Sequence, residues 1–347
     1  MKKRWKYTIC AGMICMSLCM GLTGCKKSEK ADTSSQKVFT IGKEKVCLDE
    51  VWIYAETVMQ GYEQKYGSRV WGIETQDTDG TVRTMEDITR QDIIEDIRCT
   101  KLLVQEASTY NVSLTNEEKE DAASQAKDFY NNLTDEQISK MGISLAVAEQ
   151  VFEENMLADK VYDQVMVEGN VEVSDEEARM TTIYDLCFAC YTEDSAGNIT
   201  AVSDEEKAKQ RENAEAALLA LDDPENPASY DDIAAGYNLQ QAGRRTLSYS
   251  DLVVQYGEEL VNILYSMENG THTTVVETEY GYHIIGMEAL TDSQATADRK
   301  AEMLTERQKE YFATVYQEWV NKTDKKWSYE KDVDQEVYSQ IPFGNVE

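Results

Sequence analysis

Three prolines, two histidines and six phenylalanines in 347 residues are the scarcest features of this chain. So little proline leaves long stretches without a helix breaker, and with abundant Glu, Ala, Lys and Gln it predicts a mainly helical protein. Two histidines confine imidazole chemistry to His272 and His283. The sequence holds no GxSxG, no HExxH, no phosphate-binding loop and no paired cluster of metal ligands, so neither a metal nor a cofactor is expected. Basic residues are also short, at 34 Lys and Arg against 65 Asp and Glu, a formal charge of −31. Phosphate binding needs a basic face, so nucleic acid is excluded as a natural partner. The acidity also limits attraction to an anionic membrane surface. Solubility and self-repulsion are its first reading, with cation binding or steering of basic clients as a secondary one.

Apolar runs are scarce too, with one informative exception. Lys2, Lys3, Arg4 and Lys6 precede an apolar stretch over 7–22, which is short for a membrane span and has the layout of a secretory signal. It ends in Leu22-Thr23-Gly24-Cys25, which resembles the lipobox of bacterial lipoproteins. That resemblance implies diacylglyceryl attachment to Cys25 and cleavage before it; the competing reading is an uncleaved anchor helix with an incidental cysteine. Loss of 1–24 takes the charge to −35. A polar tether is expected over 25–37, leaving an exported protein held at the membrane by lipid.

Of eight cysteines, Cys47, Cys99, Cys187 and Cys190 remain beyond Cys25 after such cleavage. Cys187-Phe188-Ala189-Cys190 is formally a CxxC, but 181–191 reads as a strand, where positions i and i+3 face opposite ways. With no second CxxC nearby, these read as buried small apolar residues.

The remaining pattern divides the chain. A short strand pair over 38–46 leads into an amphipathic helix over 48–66, with Trp52, Ala55, Val58, Met59 and Tyr62 on one face. Helices follow over 86–110, in two shorter pieces, and over 145–167. Capping boxes mark helix starts at Thr115 with Glu118, Thr134 with Gln137, Ser174 with Glu177 and Ser203 with Glu206. From 181 the order becomes strand, helix (204–221), turn, helix (230–237), irregular segment, helix and terminal hairpin. A long helix over 296–320 carries Leu304, Phe312, Val315, Tyr316 and Trp319 on one side and needs an apolar partner. The fold class expected is therefore α+β. A helical domain is built from both chain ends (38–178 and 291–347), with a mixed α/β domain (179–290) inserted.

The terminal hairpin is the most specific segment. A turn at Asn269-Gly270 leads to β-branched Thr273 to Val276, a second turn lies near Glu279 to Gly281, and a second strand runs from Tyr282 to Met287. Tyr280-Gly281-Tyr282-His283-Ile284-Ile285 resembles the closing strands of parvulin-type peptidyl-prolyl isomerases, and Ala228 to Ala234 resembles their "F..lA" helix with Tyr230 for Phe. The domain order is similar to that of SurA- and PrsA-type extracytoplasmic foldases.

The resemblance implies two histidines on neighbouring strands, linked through hydroxyls to a cysteine or aspartate, beside an apolar proline slot. His283 falls on the histidine of the last strand. The first-strand histidine, in an "R.HIL" pattern, has no counterpart, and either Cys187 or Tyr184 stands in its place. The "GG.LG.F" segment is reduced to Ala242 through Tyr249, without its acid or cysteine. Leu252 and Tyr256 fall near the slot positions, and Thr278 is the expected hydroxyl neighbour of His283. His283 has two readings, catalytic or a structural histidine in the sheet core; His272 reads as a surface turn residue. The function implied is a lipid-anchored foldase or chaperone for unfolded, newly exported polypeptides, with weak or absent isomerase activity. The alternative is a non-catalytic adaptor lipoprotein that uses its parvulin-like domain to dock one partner.

Overall fold

The computed structural model describes residues 36–344 apart from 77–79, 194 and 196. The expected signal segment and lipid site at Cys25 lie outside the described residues. No helix among those residues is long and apolar enough to cross a membrane. The chain forms two compact units. One runs through Val171 and resumes at Arg307, and the other is Glu172–Glu306.

The first unit opens on β1 (Lys37–Ile41) and β2 (Glu44–Cys47), joined where Gly42 takes a φ of +59°. Helix α1 (Leu48–Tyr66) follows and stops at Gly67, whose φ of +77° suits a residue without a Cβ. A short 3-10 turn (Ser68–Gly72) and the small hairpin of β3 (Glu74–Gln76) and β4 (Val82–Thr84) lead into α2 (Met85–Glu106). Then come α3 (Asn116–Asn132), α4 (Asp135–Met141) and α5 (Leu145–Gly169). α2 ends at Glu106, four residues before the expected end, in a turn that carries Asn111 at a φ of +55°.

The second unit begins with α6 (Asp175–Ala178) and β5 (Met180–Ala189). β6 (Tyr191–Glu193) and β7 (Ile199–Ala201) form a hairpin, followed by α7 (Asp204–Leu221) and α8 (Tyr230–Gly236). The segment expected to be irregular contains a strand, β8 (Gly243–Ser248), and the single helix expected after it is split into α9 (Tyr249–Tyr256) and α10 (Glu258–Leu264) at Gly257. Arg244 and Arg245 hide that strand from an apolar-periodicity reading, because β8 is a half-exposed edge. β9 is Val276–Thr278 rather than 273–276, and β10 is Gly281–Ala289. α11 (Ser293–Thr323) then leads back to the first unit, which ends in α12 (Tyr329–Asp332) and α13 (Gln335–Tyr338).

The helix starts follow the capping chemistry. Thr115, Thr134 and Ser203 form reciprocal boxes, and Ser174 accepts only from the Glu177 N–H. Thr84 and Ser248 form two further boxes with Asp87 and Asp251, which a search for Glu or Gln at the third position misses. In the first unit, Phe312, Tyr316 and Trp319 of α11 are buried at successive turns, with Tyr162 edge-on to Phe312 and Tyr110 to Trp319. Arg90 on α2 holds the C-terminal stretch by donating to the carbonyls of Tyr338 and Ile341.

The second unit is organised by an antiparallel sheet of order β8-β5-β10-β9. β5 and β10 are central and buried on both faces, which explains their nearly continuous apolar runs. One face carries Tyr184, Leu186, Phe188, Tyr282 and Ile284 against Ala214 and Ala217 of α7 and Ile233 of α8. The other carries Ile183, Ile285 and Met287 against Leu252, Tyr256, Leu260, Val261 and Leu264 of α9 and α10.

Candidate functional site

The candidate site lies on the α9–α10 face of the sheet. β10 places His283 directly across from Cys187 on β5 and from Val276 on β9. Strand alternation then puts Asp185 on the same face as Cys187 and turns Tyr184 to the opposite one. Tyr184 donates there to Asp231 and stacks on Tyr230, far from any role as partner to His283.

His283 is only 5% exposed and Asp185 1%. His283 Nδ1 donates to Asp185 Oδ1 at 2.9 Å, and its Nε2 lies 3.0 Å from Thr278 Oγ1 and 3.8 Å from Cys187 Sγ. Tyr256 donates its hydroxyl to the other oxygen of Asp185 at 3.0 Å and stands edge-on to the imidazole, with ring centroids 5.9 Å apart. Thr278 also accepts from the Tyr280 N–H and lies 3.4 Å from the Gly281 carbonyl. The result is a closed chain of Tyr256, Asp185, His283 and Thr278 in which both ring nitrogens and both carboxylate oxygens are engaged.

Burial alone would lower the pKa of His283. The hydrogen bond and charge of Asp185, helped by Cys187, outweigh it and raise the value to about 9. At neutral pH His283 is therefore an imidazolium paired with a carboxylate, and Nε2–H is the donor to Thr278. Tyr256 is held far above the usual phenol range by burial and then by Asp185, so its hydroxyl stays protonated.

The expected slot residues are both buried. Leu252 is fully buried in the apolar cluster, and Tyr256 is 8% exposed with its hydroxyl turned inward to Asp185. Cys187 and Cys190 are both free thiols, and they face opposite sides of the sheet. His272 differs from its reading as a surface residue. It is half-buried in a bridge to Gly286, with Nδ1 3.0 Å from the Thr273 carbonyl and Nε2 3.3 Å from Asp222. No group of three or more His, Cys, Asp or Glu among the described residues is placed to hold a metal ion.

Asp185 is the residue that sequence reasoning missed. The sequence alone carried no sufficient signal for it, since an acid within an otherwise apolar strand does not identify its partner across the sheet. Cys187, expected at the position of the missing first-strand histidine, lies two residues further along the same face of the strand.

Comparison with known proteins finds distant similarity to foldases. No family model matches the chain. It is 26% identical to the protein named Foldase protein PrsA of Caldanaerobacter subterraneus subsp. tengcongensis over 280 residues, covering 78% of this chain and 79% of that one. It is 23% identical to Foldase protein PrsA of Clostridium botulinum over 265 residues, covering 70% and 74%. Among solved structures, the peptidylprolyl isomerase PrsA of Bacillus cereus is 13% identical and covers 77% of this chain and 99% of its own, with a TM-score of 0.29. The chain is thus an α+β protein that resembles the parvulin-type, PrsA-like foldases.

Proposed function

We propose that this protein is a foldase-type chaperone that binds unfolded or newly exported polypeptides, with weak or absent prolyl isomerase activity. We further propose that it is held at the extracytoplasmic face of the cell membrane by lipid on Cys25, with the inserted parvulin-like domain carried by a helical domain from both chain ends. Similarity to foldases over most of both chains supports the first part.

The closed His283 network supports weak or absent isomerase activity, and it is the single observation that carries the reading. Prolyl isomerisation must cross a barrier of about 18–20 kcal/mol set by amide resonance. A catalyst lowers it by giving the twisted amide polar contacts that the planar amide lacks, next to a slot for the proline ring. Here His283 gives its two N–H groups to Asp185 and Thr278, and Leu252 is covered by its own cluster. A substrate would have to displace Thr278 from Nε2, or break the buried ion pair at Nδ1, to reach the imidazole. Cys187 stands beside His283 with its sulfur inside the same closed face.

The same closure favours a second reading, a docking module for one partner protein. An aggregation assay separates the two. The full chain without residues 1–24, mixed at equimolar ratio with several unrelated chemically unfolded proteins, is expected to lower light scattering for most of them. Indifference to all of them would refute the chaperone and leave the adaptor.

A further inference from the structure

A second buried ionic cluster lies in the helical unit, away from His283. Lys101 of α2 is fully buried, and its ammonium group meets Glu44 of β2 at 2.9 Å, Glu50 of α1 at 2.8 Å and Glu154 of α5 at 2.6 Å. Four elements are tied to one nitrogen. One positive charge faces three carboxylates, so the fully ionised cluster carries two excess negative charges in a poorly solvated place.

The three carboxylates are not equally supported. Glu154 accepts a directed hydrogen bond from Lys101 on one oxygen and from Gln150 on the other. Glu44 is about one-third exposed and accepts from Gln105 on the oxygen that Lys101 leaves free. Glu50 is 7% exposed, and its Oε1 lies at ion-pair distance from Lys101 without hydrogen-bond geometry. Of the three it is the least able to stay ionised. The other titratable groups facing this site are Tyr54 one turn along α1, Asp49 beside it and Cys47 at the start of the helix.

We propose that Glu44, Glu50, Lys101 and Glu154 form a proton-controlled latch: one proton on Glu50 holds β2, α1, α2 and α5 together, and its loss loosens the helical unit. Burial raises the Glu50 carboxyl to about 7, opposed by Lys101 and assisted by Glu154 and Glu44. Because the folded value lies above the unfolded one, the stabilisation is fully present below about pH 4.5 and is lost as pH rises through 7.

The test is urea unfolding of the chain without residues 1–24 between pH 5 and pH 8, followed by tryptophan fluorescence. Trp52, Trp71, Trp319 and Trp327 all lie in the helical unit, so the signal reports that unit. Relative to Glu50→Gln, the wild-type folding equilibrium constant is expected to fall by about tenfold or more from pH 5 to pH 8. Comparison with the variant cancels other titrating groups. Glu44→Gln, at a position about one-third exposed, removes one repelling charge and is expected to move the wild-type transition to lower pH. Parallel pH profiles for wild type and Glu50→Gln overturn the proposal. So does an unshifted transition in Glu44→Gln, which serves alone if the first variant does not fold.

Discussion

At the scale of single residues, the carboxylate of Asp185 on the neighbouring strand makes His283 half of an ion pair. Asp185 raises the imidazole to about 9 despite its burial, and the sign of the resulting pH dependence follows. The ion pair stabilises the second unit fully below about pH 6.5, and this contribution fades as pH rises through 9, by roughly 3 kcal/mol at most. With only two histidines, proton NMR resolves both imidazoles. The His283 resonance is expected to titrate near 9, and to move well below that in Asp185→Asn, which is also expected to lose roughly 3 kcal/mol of stability at pH 6. Titration of His283 near 6.5 in the wild type would mean that the pair does not form. His283 itself was legible in Tyr280 to Ile285, because that string is specific. Asp185 was not, because an acid in an apolar strand does not announce which partner waits across the sheet.

At the scale of elements, the site depends on the tight return between β9 and β10. Gly281 has a φ of +147°, and a Cβ there would lie 2.3 Å from the carbonyl oxygen of Phe188 on β5. Close approach of β10 to β5 at this point sets the register that brings His283 opposite Cys187. Gly281→Ala is therefore expected to destabilise the second unit by about 2 kcal/mol or more and to broaden or shift the His283 imidazole resonance, read by thermal unfolding and NMR. An unchanged melting temperature would show that the backbone there yields freely. Elements with strong periodicity or capping were legible almost to the residue, as α1 and α7 show. β8 was not, because an edge strand with two arginines has no apolar alternation to read. The start of β9 was misplaced by three residues because β-branched Thr273 and Thr274 look like strand. In the structure Thr273 instead bonds to Ile285 ahead of the regular ladder.

At the scale of the whole molecule, the first compact unit is built from both ends of the chain. The apolar stripe of α11 needed a buried partner, and Phe312, Tyr316 and Trp319 find theirs in the unit that begins with β1. The structure divides the chain at 172, between α5 and α6, and at 306, inside the long helix α11. The account holds that chaperoning and prolyl isomerisation are separable here, with the second suppressed by the closed network around His283. A protease-coupled isomerisation assay on a proline peptide tests this most directly, with His283→Ala beside the wild type. The account predicts that both proteins leave the rate close to the uncatalysed background. Turnover like that of an active parvulin, abolished by His283→Ala, would contradict it.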